Sequence, residues 1–362
     1  MKKIMILTLL LMLITITGCQ KENIVFKTYY LDEAFSIVPI ITIIDYEDKI
    51  YNLDIENDLN EIIQKLNKKF NVFDETSMIT KVNNNSGITS IDVDDEFIYV
   101  LETAINISKQ TKLYDVTTFS VWKEWGFEKN YYQYGNYACA PSDEIIKQKL
   151  PLVNYENIII NKKVNQVFLK EKGMMIDLGS IVKGYAADKV SAYLVENEIH
   201  NALINIGGNI ITMGKNIGTK KNWKAGVLMP YSYDTEIGYV LTNNYKETLV
   251  TSGIYERFIV SKNYQTGEET VHHHILNPTT GYPENNDLVS VTIITKESII
   301  ADALSTAVFL MGLNKGLEFI NKQENIEAIF ITKNKEIYLS KNIKDRFIYN
   351  EEIQKYNYSL IL

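Results

Sequence analysis

Several short segments carry side chains suited to chemistry. In Asp177-Leu178-Gly179-Ser180-Ile181-Val182-Lys183-Gly184-Tyr185 an apolar strand end runs into a small-residue turn and then a helix start. Glycine there lets backbone approach a ligand, the first helical amides favour an anion, and Lys183 adds positive charge within the first turn. That suits a phosphate, although Gly-x4-Gly-Lys-Ser/Thr is absent. An ordinary capped helix with a solvated Lys183 fits the same residues. Asn205-Ile206-Gly207-Gly208-Asn209 is a second glycine turn, after an apolar strand. In Ala301-Asp302-Ala303-Leu304-Ser305-Thr306, Asp302 and Thr306 are four apart and stack on one helical face, with Ser305 beside them. The flanking residues are apolar almost all round, so the helix is buried and its carboxylate needs a partner. One carboxylate with hydroxyls suits a hard cation such as Mg²⁺ shared with substrate phosphates, and the alternative is an acid near a helix N-terminus. His272-His273-His274 precedes the turn-rich run Ile275 to Pro283, so in extended backbone His272 and His274 share a face. Zinc is underdetermined there, because His200 is the only other histidine and has no spacing signature, and such histidines are more often exposed or structural. Thr251-Ser252-Gly253-Ile254-Tyr255-Glu256-Arg257 offers Arg257 as a partner for an anion or for the fold.

Periodicity shows the elements that must hold these groups. Residues 35–44 are β-branched and apolar between acidic neighbours, a strand that Pro39 places at an edge or bulge. Residues 53–70 and 94–109 carry apolar side chains at helical spacing, with a turn at 83–87 between them. Residues 122–137 are rich in aromatics without a period and read as a loop-like insertion. Strands are expected at 157–160, 164–169, 202–206, 223–228, 249–251, 258–260, 288–294, 328–331 and 336–339, and helices at 180–195, 298–311 and 315–321. This interspersion lacks a regular βαβ alternation and favours an α+β fold. No linker and no fixed repeat divides the chain, so it forms a single compact unit.

Composition removes other classes. The chain has 362 residues, 46% hydrophobic and 23% charged, which excludes a disordered or collagen-like protein. With 37 Lys+Arg against 45 Asp+Glu the formal charge is -8, and without a basic stripe nucleic acid is not an expected partner. Two cysteines, Cys19 and Cys139, build neither a disulfide framework nor a four-cysteine zinc site. At the N-terminus Lys2 and Lys3 precede an apolar run at 4–16 and then Thr17-Gly18-Cys19. The run is short of the roughly 20 residues of a spanning helix and has the layout of a secretory signal, with an uncleaved anchor as the alternative.

Ile16-Thr17-Gly18-Cys19 resembles the lipobox of bacterial lipoproteins. The resemblance implies a signal peptide at 1–18, a diacylated Cys19, a tether at 19–34, and a protein held on a membrane and facing outside the cytoplasm. Five landmarks, in order, resemble the FAD:protein FMN transferase family, the ApbE-like flavin transferases. They are Leu113-Tyr114-Asp115-Val116-Thr117, DLGSIVKGYAAD from Asp177 to Asp188, Ile206-Gly207-Gly208-Asn209-Ile210, the pair TSGIYERF and HILNPTTGYP, and ADALSTA.

The resemblance implies a T-fold-like α+β domain, placed at 35–345, with a C-terminal tail at 346–362. FAD would be the substrate and Mg²⁺ the cofactor. The metal site would be the Ser180 main-chain carbonyl with Asp302, Ser305 and Thr306. Flavin contacts would come from Phe73, Leu113, Tyr114, Asp115, Asp177, Lys183 and Leu276, with His274 in acid-base work and Lys183 neutralising charge. The implied reaction moves FMN from FAD to a threonine of an acceptor redox subunit, releasing AMP. Water in place of threonine would give FMN and AMP, and a non-catalytic flavin-binding lipoprotein is the third reading. The chain departs from the family pattern in four places. Ala34-Phe35-Ser36-Ile37 stands where Met-Gly-Thr is usual, Phe73 replaces a tyrosine, Asn277 an aspartate, and Ser180 an alanine or glycine.

Overall fold

The computed structural model describes residues 23–361 apart from 48–49, 51–53, 130–136, 233 and 244. The expected signal peptide and Cys19 lie outside the described residues. In chain order the strands are β1 (Ile24–Tyr30), β2 (Ile40–Tyr46), β3 (Ile91–Asp92), β4 (Ile158–Asn161), β5 (Gln166–Leu169), β6 (Ala202–Ile206), β7 (Asn209–Met213), β8 (Lys224–Leu228) and β9 (Glu236–Leu241). They continue with β10 (Glu247–Gly253), β11 (Phe258–Lys262), β12 (Glu269–His273), β13 (Leu288–Thr295), β14 (Glu327–Thr332), β15 (Glu336–Leu339), β16 (Phe347–Tyr349) and β17 (Ser359–Ile361). The helices are α1 (Ile55–Phe70), α2 (Met78–Asn84), α3 (Asp95–Thr111), α4 (Phe119–Trp125), α5 (Asp143–Lys149), α6 (Val182–Glu196) and α7 (Ser298–Asn321).

A nine-stranded sheet in the order β1-β2-β6-β7-β10-β13-β14-β15-β17 is the frame. Its centre is buried on both faces, and the period of two sorts side chains between two cores. Val291 and Ile293 of β13 and Phe330 of β14 join the large core with α1, α3, α6 and α7. Ile294 of β13 and Ile329 and Ile331 of β14 face the other way, onto Val227, Ile237 and Val240 of the small β16-β9-β8 sheet. Helix α7 is apolar on nearly every side because β10, β13, α3 and α6 all pack on it. Gly312, at φ 74°, interrupts α7 where the sequence places a break between two helices.

Four expectations need correction. Residues 24–30 are no tether: β1 pairs with β2 from Ile24↔Tyr46 to Tyr30↔Ile40, and Tyr29 is buried. The strand expected from residue 35 begins at Ile40, because Phe35 and Ser36 take positive φ in a turn closed by the Ala34 and Ile37 backbones. The segment 346–362 is no tail. β16 pairs with β9 and β17 runs parallel to β15, while Arg346 bonds Glu247 and Glu327 across the sheets. The expected aromatic loop starts as α4 and a 3-10 turn at Phe127–Lys129, with 130–136 outside the described residues.

Candidate active site

The α6 start, the α7 flank, the end of β10, the residues after β12 and the loop before α4 surround one cavity of about 400 Å³. Phe73, Leu113, Tyr114, Asp115, Asp177, Ser180, Lys183, His274, Leu276, Asp302 and Thr306 all line it. Segments separated by more than two hundred residues in sequence therefore meet where their chemistry can combine.

Asp302 and Thr306 share the cavity-facing strip of α7, as their spacing requires. Asp302 is 4% exposed, and its Oδ2 accepts the Gly184 amide at 2.8 Å. That contact is possible only for glycine. A Cβ at Gly184 would lie 2.2 Å from the Ser298 carbonyl oxygen and 2.8 Å from Asp302 Cβ. Because the Gly184 amide turns to Asp302, it is withheld from the Ser180 carbonyl four residues back, which accepts no hydrogen bond among the described residues. Burial raises the Asp302 carboxyl above its ordinary range, against Lys183, the Gly184 amide and Asn209. A buried carboxylate, a hydroxyl and an unpaired carbonyl form an all-oxygen donor set that fits a hard cation. No group of three His, Cys, Asp or Glu fit to hold a metal occurs among the described residues, so substrate oxygens would have to complete the shell.

Ser305 departs from its expected role. It is fully buried and absent from the cavity wall. Its hydroxyl donates to the Asp302 carbonyl at 2.8 Å and meets Ser252 Oγ at 2.7 Å, while Ser252 also reaches Thr306 Oγ1 at 3.2 Å. Ser305 buttresses the helix behind the two cavity groups. Ser180 Oγ is held by the Tyr114 hydroxyl at 2.8 Å, which leaves its carbonyl as the group on offer. Lys183 Nζ donates to Gly179 O at 3.2 Å.

Asp115 and Asp177 shape the wall through their backbone bonds. Asp115 Oδ1 accepts the Thr117 amide and hydroxyl at 2.9 and 2.6 Å, and Oδ2 accepts the Tyr155 amide at 3.0 Å. Asp177 Oδ1 accepts the Gly179 amide at 2.9 Å and fixes the turn before α6. Burial pushes both carboxyls up, against these bonds and, for Asp177, against Arg257 and Lys183.

The three histidines separate. His272 Nε2 pairs with Ser261 Oγ at 2.8 Å beside the Trp125 ring, and His273 Nε2 bonds Glu284 O at 2.9 Å. His274 alone lines the cavity. Its Nδ1 lies 3.0 Å from the Arg257 carbonyl, and since a carbonyl only accepts, Nδ1 carries the proton and Nε2 is left with its lone pair. Burial, with Arg257, His273 and Lys183 nearby, lowers its pKa to about 3, so the imidazole is neutral near pH 7.

An aromatic wall completes the cavity. Phe73 meets Phe119 at 6.4 Å and Trp122 at 6.3 Å, and Phe119 stacks on Trp122 at 5.6 Å. Phe35, Ser36 and Ile37 line the cavity as well, in the turn that replaces Met-Gly-Thr. Sequence reading missed Phe119 and Trp122, although their i,i+3 spacing is a helical signal. It assigned no role to Asn209, which is buried, lines the cavity and helps to hold the Asp302 pKa down. Asn277, where aspartate is usual, donates to Glu284 at 2.7 Å, a contact an aspartate could not make.

Residues 37–330 match the ApbE family. A protein of Klebsiella pneumoniae named FAD:protein FMN transferase is 38% identical over 208 residues, 58% of this chain and 61% of that protein, so the chain spans about three fifths of that relative's length. One of the same name from Treponema pallidum is 28% identical over 287 residues, 75% of each chain. The crystal structure of the ApbE protein of Thermotoga maritima superposes with a TM-score of 0.75 at 30% identity, covering 90% of this chain and 99% of that one. With a matched span that includes every cavity element from Ile37 to Leu310, this chain is a member of the ApbE family.

Proposed function

We propose that the chain transfers FMN from FAD to a threonine hydroxyl of an acceptor protein and releases AMP, with Mg²⁺ as cofactor. The relatives' names carry the reaction class. The observation in this chain that supports it is the meeting of Asp302, Thr306, Lys183 and a His274 with a free Nε2 around one cavity with an aromatic side. When bound, the cation would draw charge from the pyrophosphate and make its bridging bond easier to break. Asp302, Thr306 and the Ser180 carbonyl would hold it.

Lys183 stabilises the charge that gathers on the phosphoryl oxygens, from the cavity wall at the α6 start. The aromatic wall of Phe73, Phe119 and Trp122 suits a flat ring system. The threonine oxygen attacks the FMN phosphorus while the bond to the AMP oxygen breaks, and AMP leaves with the electron pair. His274 Nε2 takes the threonine proton, since Nδ1 is committed to the Arg257 carbonyl. Burial is the main cause of the low basicity of His274, and the part that Arg257 and Lys183 add would be offset by the pyrophosphate's negative charge. The test is incubation with FAD, Mg²⁺ and a candidate redox subunit, followed by the intact mass of that subunit. An added FMN phosphoryl group supports transfer, and an unchanged mass with FAD consumed refutes it.

We also propose, from Ile16-Thr17-Gly18-Cys19, that a lipidated Cys19 anchors the protein on a membrane face outside the cytoplasm, near exported or membrane redox subunits. Cys19→Ser should yield unprocessed or soluble protein. Mass spectrometry finding an unmodified Cys19 within an intact N-terminus would remove the anchor.

A further inference from the structure

Asp188 ends the stretch that begins at Asp177, and the reaction gives it no task. It lies on α6 one turn beyond Gly184, on the same helical face. The first amides of a helix need acceptors, and Glu297 at the N-cap of α7 supplies no side-chain bond. Asp188 supplies them from another helix. Its Oδ1 accepts the Ser298 amide at 3.0 Å and its Oδ2 the Ile299 amide at 2.8 Å. Lys246, just before β10, donates to the same Oδ1 at 2.6 Å. Thr248 of β10 adds a bond to Ser298 Oγ at 3.1 Å.

We propose that Asp188 is a positioning residue for the cation site. By holding the α7 N-terminus against α6, it sets Asp302 and Thr306 at the height of Ser180 and Lys183. Its bonds to Ser298 and Ile299 lie one turn before Asp302, and the Gly184 contact with Asp302 lies one turn before Asp188 on α6. Two clasps a turn apart leave α7 little freedom to slide or rotate. Lys246 extends the clasp to β10, whose Ser252 touches Ser305 and Thr306. Groups that orient a metal's ligands without touching the metal are as much a part of a site as the ligands.

This inference rests on the reading that the cavity holds a divalent cation, so the experiment separates the two. Mn²⁺ binding in the presence of FAD is followed by electron paramagnetic resonance for the wild-type chain, Asp188→Ala and Lys246→Met, with melting curves on each. Asp188→Ala is expected to weaken Mn²⁺ binding about 10- to 100-fold in folded protein. Lys246→Met should give a smaller shift in the same direction. A purely structural Asp188 would lower the melting temperature and leave the Mn²⁺ affinity of the folded chain unchanged, which would overturn the proposal. Should Asp188→Ala not fold, an unchanged affinity in Lys246→Met overturns it. Failure of the wild-type chain to bind Mn²⁺ would overturn the cation reading instead.

Discussion

Replacing Gly184 by alanine tests how the two site helices are joined. The added Cβ would lie 2.2 Å from the Ser298 oxygen, 2.6 Å from the Ser298 carbonyl carbon and 2.8 Å from Asp302 Cβ. None of these atoms sits at the end of a flexible side chain, so the helices themselves must separate. Moving the Ser298 oxygen out to ordinary van der Waals contact requires a shift of more than about 1 Å. Overpacking of this kind costs about 1–3 kcal/mol of stability. The same shift draws Asp302 away from the Gly184 amide and from Lys183, the neighbour of Gly184 in sequence. A displacement of this size at a catalytic centre lowers turnover by about 10²-fold. The assay is FMN transfer from FAD under saturating substrate, beside thermal melting of the same preparation. Wild-type turnover with an unchanged melting temperature would refute the backbone contact between α6 and α7.

Other predictions follow from the same geometry. Asp302→Ala should abolish turnover and Thr306→Ala should raise the Mg²⁺ needed for half-maximal rate, whereas Ser305→Ala should cost about 1 kcal/mol of stability and leave that Mg²⁺ requirement unchanged. A Ser305→Ala variant with altered Mg²⁺ dependence would return Ser305 to the ligand shell. His274→Ala should lose about 10²- to 10⁴-fold in rate with flavin binding largely retained, while His272→Ala and His273→Ala lose far less. Equal mild losses in all three would assign the cluster to structure. His273 and His274 titrate at about 4 and about 3 in the folded chain against 6.5 for an ordinary histidine. Below 6.5 the unfolded chain therefore binds protons the folded chain refuses, and unfolding free energy falls with pH until the folded values are passed. Urea unfolding of wild type and His274→Gln between about pH 7 and pH 4 should show a shallower acid loss in the variant, and parallel curves would contradict the buried neutral imidazole.

The residues that a sequence shows best are those whose chemistry is written in spacing. Asp302 and Thr306 fall on one face because any helix puts positions four apart together, and both line the cavity. The strands through the sheet centre were readable for the same reason, since Val291, Ile293 and Phe330 alternate with Ile294, Ile329 and Ile331 between two cores. Ser305 misled because spacing cannot tell a side chain facing the cavity from one facing β10, where Ser252 waits. β1 and β17 were missed because edge strands carry a weak apolar pattern, and pairing with β2 and β15 supplies what local sequence lacks. The tautomer of His274 depends on the Arg257 carbonyl, seventeen residues away in sequence, and no motif encodes it. Likewise, the clasp of Asp188 on Ser298 and Ile299 spans more than a hundred residues and exists only in the folded chain.

The central claim is that FMN leaves FAD for a protein hydroxyl. Its most direct measurement is a product balance on the purified chain with FAD, Mg²⁺ and a redox subunit carrying an accessible threonine. The expected result is one AMP released for each flavin bound covalently to the subunit, with no free FMN accumulating. Release of free FMN equal to AMP, with the subunit unmodified, would contradict transfer and make the site one for hydrolysis.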